Sequence, residues 1–287
     1  MPFPPKKTQD FHPTKRLRDE YAAGIRAVTG RMLKPRLPEQ SLDDWLRSLQ
    51  AASQERDIQE ASEVLASRFV AQVDAGNKRT WRDAAAKAMR SAKLTAALKN
   101  ELQGRVGQTF NRLVQENAKY IRSVATESAE RLVHEVKQAE LNGARPATIA
   151  KMMRSRFPQL LRSRTQLIAR TESAKVSSAL TQARAEEIGL AWYVWQTSED
   201  VRVRVSHKKM DDVLVSWHDP PDPEALVDEK SSLGHYNVGN CPNCRCTALV
   251  ILDIDDVTWP HRVHWRGSIK QMTKTAFLRI AGLQKAA

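Results

Sequence analysis

The stretch Leu190-Ala-Trp-Tyr-Val-Trp195 decides the fold, because the character of the chain changes at this point. A helical pattern ends at Gly189, and the apolar run that follows is rich in aromatic and β-branched residues, which predicts a buried strand. Further strands are predicted at 201–205, where valines alternate with polar residues, at 213–217 and at 247–252. The C-terminal part is therefore predicted to be a small mixed domain with a short antiparallel sheet.

Upstream of this stretch the sequence is predicted to be helical. The clearest helix spans 109–139, where apolar residues recur at a spacing near 3.6 and charges occupy the other face. A second helix begins at Pro146 and is expected to stop at Pro158, and a third spans 163–188. The predicted class is α+β, with a long helical N-terminal region before the small domain and its Cys/His-rich loop.

Both ends of the chain are basic. Residues 1–40 hold six prolines and several Lys and Arg residues, which predicts a basic, partly extended arm with one short helix near 19–32. Residues 256–287 predict a basic tail, in which 269–283 could form an amphipathic helix. Between the ends lie a helical region at 41–162 and an α+β domain at 163–255.

The net charge of +13 and the pI near 9.9 predict contact with a polyanion. The candidate phosphate-binding side chains come from the tail: Arg262, Arg266, Lys270 and Lys274. No apolar run approaches the roughly 20 residues that span a bilayer, so no membrane contact is expected. The N-terminus lacks the apolar core of a secretory signal, and three clustered cysteines favour a reducing compartment.

The candidate chemistry lies between residues 200 and 246. All three cysteines fall in Asn240-Cys-Pro-Asn-Cys-Arg-Cys246, and a C-x2-C spacing lets two thiolates reach one tetrahedral ion at about 2.3 Å. Cys241, Cys244 and Cys246 with one histidine would form a closed set for a structural Zn²⁺. His207 is favoured as the fourth ligand and His235 comes next, while burial of three reduced cysteines without metal is the alternative.

Catalytic uses of the same residues are weaker alternatives. A cysteine nucleophile would need a base such as His235, but no Gly-rich oxyanion turn follows the cysteines. A metal-dependent nuclease would arrange His207, His218 and His235 around a hydrated ion. The expectation is that the chain is not an enzyme.

A series of motifs carries a resemblance to a known family. Ile168-Ala-Arg-Thr-Glu172 is followed by Asp200-x-Arg-x-Arg-x-x-His207, then by Pro220-Pro221 and by Asn243-Cys-Arg-Cys246. In this order, across about 105–255, they resemble the phage Mu F-like minor head (head morphogenesis) proteins of tailed bacteriophages.

The resemblance implies a virion component that assembles in the host cytoplasm and lies in the capsid interior. Its expected partners are the portal protein, other head proteins and packaged double-stranded DNA, with a possible role in genome packaging or ejection. The family often has Cys near the position of His207, which favours a metal site. Cys241 is an additional cysteine, and Gly234-His235 replaces the usual Pro-Gly.

The resemblance also implies a role for Arg170 and Glu172. These residues are two apart and so do not share a helix face. In the family they lie at the junction of the helical part and the small domain. Structural ion pairs with Asp200 and Arg204 are therefore expected.

Overall fold

A computed structural model describes residues 11–37, 39–87, 104–230 and 233–282. Within these ranges five helices come first: α1 (Lys15–Met32), α2 (Leu42–Ser53), α3 (Arg56–Lys87), α4 (Arg105–Leu141) and α5 (Pro146–Glu187). The sheet-forming part follows, with β1 (Trp192–Gln196), α6 (Val205–Met210), β2 (Val213–Ser216), β3 (Thr247–Val250), β4 (His261–Trp265), β5 (Ser268–Met272) and α7 (Lys274–Ile280). The predicted α+β class is confirmed.

The chain divides into two compact units, each assembled from separated segments. The sheet unit draws on Met1–Pro13, Val73–Thr109 and Ser173–Ala287, and the helical unit on Thr14–Gln72 and Phe110–Glu172. The long helices therefore contribute residues to both units. No helix in the described ranges is long and apolar enough to cross a bilayer.

The sheet has five strands in the order β3-β1-β2-β4-β5. Its neighbouring strands are antiparallel except β2 and β4, which pair in parallel, so the predicted antiparallel sheet is in fact mixed. Alternate residues of a strand point to opposite sides of the sheet, and at β1 both sides are buried. Tyr193 and Trp195 pack on one face with the three cysteines, and Trp192 and Val194 pack on the other with Phe277. Burial on both faces explains the unbroken apolar run that marked this strand.

The helical unit has its own core. The ring of Trp45 lies edge-on to Phe157, with centroids 5.1 Å apart, among buried residues of α4 such as Leu132. Ser41 caps α2 by accepting a hydrogen bond from the Asp44 backbone N–H. Segment 19–32, predicted to be helical, lies within α1, where its buried side chains include Ile25 and Met32. The beginning of the predicted arm (1–10) and the end of the tail (283–287) lie outside the described residues.

Three predicted elements differ from the structure. The predicted strand at 201–205 is instead a turn at 201–204 that leads into α6, because the Asp200 carboxylate accepts the Arg202 N–H at 2.8 Å. Val201 is 94% exposed. Pro158 does not stop a helix, since α5 continues through it. Pro158 is exposed, so the carbonyl that its missing N–H leaves unpaired can be hydrated. The predicted helix at 269–283 is instead β5 followed by α7, which begins after the capping side chain of Thr273.

Candidate metal centre

The site forms where α6 meets the loop that enters β3. α6 carries His207, which is 2% exposed, and the loop carries Cys241, Cys244 and Cys246, all buried and unbridged. The ring of Trp195 on β1 meets His207 edge-on, with centroids 5.4 Å apart. Aromatic packing on the sheet therefore fixes the imidazole against the cysteine loop.

One nitrogen of His207 faces two sulfurs. Its Nδ1 lies 3.4 Å from Cys246 Sγ and 3.6 Å from Cys244 Sγ, and the three donor atoms lie within 4.8 Å of one another. In a tetrahedral zinc site, Zn–S of about 2.3 Å and Zn–N of about 2.0–2.1 Å require an N···S separation of about 3.6 Å. The two distances match that edge length. A single N–H donor could be directed at only one of the two sulfurs.

The other nitrogen of His207 is held by a hydrogen-bond chain. Nε2 lies 2.9 Å from the hydroxyl of Tyr236, and this hydroxyl donates to the Glu224 carboxylate at 2.8 Å. Burial, followed by nearby Cys241 and Glu224, raises the pKa of Tyr236, so its hydroxyl keeps its proton. Since Tyr236 donates to Glu224, His207 Nε2 must carry a proton and donate to Tyr236. This leaves Nδ1 as the ring nitrogen that faces the thiols, which is the arrangement of a metal-ligating histidine with an ordered partner behind it.

The loop has the geometry of a cysteine knuckle. The Cys244 N–H donates to the Cys241 carbonyl at 3.0 Å, and Asn243 supplies the left-handed residue of the turn with φ of 57°. The Cys246 N–H points at Cys244 Sγ at 3.4 Å. The backbone thus turns tightly enough to bring Cys244 and Cys246 to the same imidazole.

Cys241 has a different environment from the other two cysteines. Its sulfur accepts a hydrogen bond from Arg204 Nη1 at 2.9 Å, while Nη2 of the same guanidinium donates to the Pro242 carbonyl at 3.0 Å. Cys241 groups with His207 and Glu224, whose ligand atoms lie within 4.8 Å of one another. His207 therefore belongs to both clusters, and the predicted set of four does not converge on one point.

Without a metal, the cluster distributes its protons unevenly. A hydrogen bond with Cys246 and then one with His207 hold the pKa of Cys244 well below its ordinary value, although burial opposes this. The same hydrogen bond and burial raise the pKa of Cys246. Burial lowers the pKa of His207, but Cys241 and Cys244 outweigh it and raise the value to about 9. A metal ion bound here would replace the protons that the thiols and the imidazole share in these hydrogen bonds.

The predicted ion pairs are rearranged. Asp200 pairs with Arg245, whose Nη2 lies 2.6 Å from Oδ1, in a two-point contact, because the turn at 200–203 presents the carboxylate to the cysteine loop. Arg204 is instead committed to Cys241 and Pro242. Arg170 is exposed and its Nε donates to the Gln166 carbonyl of its own helix at 3.2 Å, whereas Glu172 is 4% exposed.

The histidines of the nuclease alternative do not meet within the described residues. His207 is buried against the cysteines, whereas His218 and His235 are exposed. His218 Nδ1 lies 3.9 Å from Glu186, and His235 Nδ1 lies 3.0 Å from the Pro220 carbonyl. The predicted trio is therefore not a common metal site.

Two of the four predicted DNA-binding side chains have partners within the fold. Arg262 donates to the backbone carbonyls of Asp211, at 3.0 Å, and Lys209, and Lys274 pairs with Asp255. Arg266 is exposed beside the ring of Trp265, with its guanidinium 5.4 Å from the ring centroid, and Lys270 is exposed on β5. Of the four, Arg266 and Lys270 are the exposed side chains.

Sequence reasoning missed Tyr236, Glu224 and Arg245 as parts of the site. Tyr236 is a single aromatic residue beside His235 in a loop, and Glu224 lies in a different turn. No regular sequence spacing therefore relates either residue to the cysteines. Arg245 lies between two of the cysteines in the sequence, and this position was the available indication that it belongs to the site.

Comparison with known proteins places the cluster inside a recognised segment. Residues 130–249 match the model of a family described as Phage Mu protein F like protein, and this segment includes His207 and all three cysteines. An uncharacterized protein of Haemophilus influenzae is 31% identical over 160 residues, which cover 56% of this chain and 33% of that protein. The chain thus spans about a third of the length of this curated relative. No solved structure matches.

Proposed function

We propose that the chain, whose residues 130–249 match the model of the phage Mu F-like family, is a minor head protein of a tailed bacteriophage. In this proposal it acts in head morphogenesis, with the portal protein and other head proteins as partners. It assembles in the host cytoplasm and lies in the capsid interior near the portal, where it contacts packaged DNA without sequence preference. The family match carries the proposal, and the net charge of +13 supports the DNA contact.

Particle composition and protease protection test this role. Heads purified from the phage that encodes the chain should contain the protein at low copy number, and it should resist protease added outside intact heads. Inactivating its gene should yield fewer DNA-filled heads. Absence of the protein from purified heads, or its digestion in intact heads, would overturn the proposed location.

Within this protein, the Cys/His cluster is proposed to hold one structural Zn²⁺. His207 Nδ1, Cys244 and Cys246 supply three donors at distances that fit a tetrahedron. Cys241, whose sulfur lies within 4.8 Å of a His207 ring nitrogen, would complete the set by shifting toward these three donors when the ion binds. The Arg204 guanidinium, which donates to the Cys241 sulfur, would fix the orientation of this side chain. A closed set leaves no position for water, so the ion would join α6 to the cysteine loop rather than catalyse.

Metal analysis and thermal melts test the zinc site. Purified protein should contain about one zinc per chain, and a chelator should lower the melting temperature because bound metal contributes to folding. Cys244→Ser should remove the zinc. Protein without zinc, together with a melt that a chelator leaves unchanged, would contradict a structural ion.

A further inference from the structure

The region around α5 holds a long run of positive charge without acidic residues. Residues 141–171 contain seven Lys or Arg residues and no Asp or Glu. This one stretch carries a formal charge of +7 out of the net +13. All of it lies in the helical unit, away in sequence from the C-terminal residues that were predicted to bind DNA.

Two of these arginines are used inside the unit. Arg156 makes a two-point contact with Glu135 of α4, at 2.8 and 3.0 Å, and Arg164 pairs with Glu127 of the same helix at 2.5 Å. Their charges are compensated, and they hold α5 against α4.

Four others form an exposed basic stripe, which consists of Lys151, Arg154, Arg162 and Arg170. At 1.5 Å per residue the stripe runs about 28 Å along α5, and at 3.6 residues per turn it occupies about 160° of the helix circumference. Arg170 Nε donates to a carbonyl of its own helix, which keeps this side chain on the helix surface. A stripe of this length is comparable with one turn of duplex DNA, about 34–36 Å.

The residues between these charges distinguish a nucleic acid from a protein partner. The exposed side chains among them are polar except for one proline: Ser155, Pro158, Gln159, Ser163 and Gln166. None of the large exposed apolar side chains found in the described ranges lies on α5. A protein interface has an apolar centre that is depleted of charge, whereas Arg, Lys, Ser and Gln are the side chains that contact phosphates.

We propose that the basic stripe of α5 is the surface that binds the phosphate backbone of double-stranded DNA. This inference rests on the proposed DNA contact and assigns it to the helical unit rather than to Arg262, Arg266, Lys270 and Lys274. Four phosphate contacts would give log K a slope of about −3.6 against log salt.

A salt titration of the full chain with a fluorescent 30-base-pair duplex of arbitrary sequence tests this assignment. The stripe variant Lys151→Gln/Arg154→Gln/Arg162→Gln should reduce the slope by about 2.7, since each lost contact removes about 0.9. The matched control makes the same charge change at exposed residues of α1, α3 and α4 in the same unit: Arg26→Gln/Arg68→Gln/Lys119→Gln. The control should keep nearly the original slope.

Each outcome of the titration has a distinct meaning. If the unmodified chain binds DNA and both variants keep its slope, the stripe assignment is wrong while the proposed DNA contact stands. If the unmodified chain fails to bind at 50 mM salt, the DNA contact itself is wrong. If the stripe variant loses affinity for polyglutamate but not for DNA, the stripe binds an acidic protein instead.

A second measurement requires no variant, so it stands even if the substitutions disturb folding. Lys151 is the only lysine between 141 and 171. DNA should protect its amine from acetylation in the unmodified chain, while Lys119 should stay reactive. Equal reactivity of Lys151 with and without bound DNA contradicts the proposal.

Discussion

Replacing Tyr236 by Phe tests the hydrogen bond that His207 makes on the side of its ring away from the cysteines. The substitution removes one hydroxyl, which His207 Nε2 meets at 2.9 Å and which donates to Glu224 at 2.8 Å. The Nε2–H group is then left without this acceptor, in a side chain that is 3% exposed. Such an orphaned buried donor costs about 1–3 kcal/mol of stability. Glu224 is less affected, because its side chain is 14% exposed and can be hydrated.

The larger expected effect is on metal affinity. Loss of the partner that orients a ligating histidine typically weakens binding by about 10- to 100-fold, which corresponds to about 1.4–2.8 kcal/mol. Competition between the protein and a chromophoric zinc chelator measures this affinity directly. Thermal melts of the same samples give the stability change.

Tyr193→Phe is the matched control. Tyr193 lies in the same core, and its hydroxyl donates to Asn237 at 3.2 Å and accepts the Val238 N–H at 3.3 Å. Its loss should cost a similar amount of stability and leave zinc affinity unchanged. If both variants bind zinc as tightly as the unmodified chain, the hydrogen-bond chain through Tyr236 does not orient His207 as a metal ligand. If both weaken binding equally, the effect is general loosening of the core.

Two further predictions concern ion pairs. Asp74→Ala should destabilise the protein by about 3–5 kcal/mol in a denaturant titration, because the Arg184 guanidinium, 2% exposed, would lose the carboxylate that lies 2.7 Å away. A loss below about 1 kcal/mol would show that solvent compensates the charge. The two-point contact with Arg156 lowers the pKa of Glu135 from its ordinary 4.5, so its stabilisation is present above pH 4.5 and disappears as pH falls through the lowered value. Glu135→Gln should therefore cost about 0.5–1 kcal/mol at pH 7 and almost nothing near pH 2, and a pH-independent cost would contradict this origin.

Several features followed from the sequence because they depend on local patterns. The apolar run at 190–195 identified the central strand, and the helical periodicity at 109–139 identified most of α4. The cysteine spacing and the choice of His207 identified side chains that the fold does bring together. In each case residue type and spacing are the physical cause of the observed feature.

Other features depend on contacts between distant residues. The valine alternation at 201–205 is consistent with a strand, and only the Asp200 side chain, by capping a turn, decides against it. Pro158 is tolerated because it faces solvent on a helix that tertiary contacts hold, which no local rule reveals. The partner of Asp200 proved to be Arg245, 45 positions away, so it could not be read from neighbouring sequence.

The core of the sheet unit includes Phe11, whose ring lies 5.8 Å from that of Trp81 and which is buried together with the cysteine loop. His12 Nε2 meets the Arg245 carbonyl at 2.7 Å, a contact between residues 233 positions apart. During synthesis at about 5–20 residues per second, Phe11 and His12 would wait about 12–47 s for that partner to be made. The sheet unit can therefore complete its core only late in translation. A fragment limited to the family segment 130–249 would lack both Phe11 and Trp81, so we expect it to expose the apolar surface that they cover.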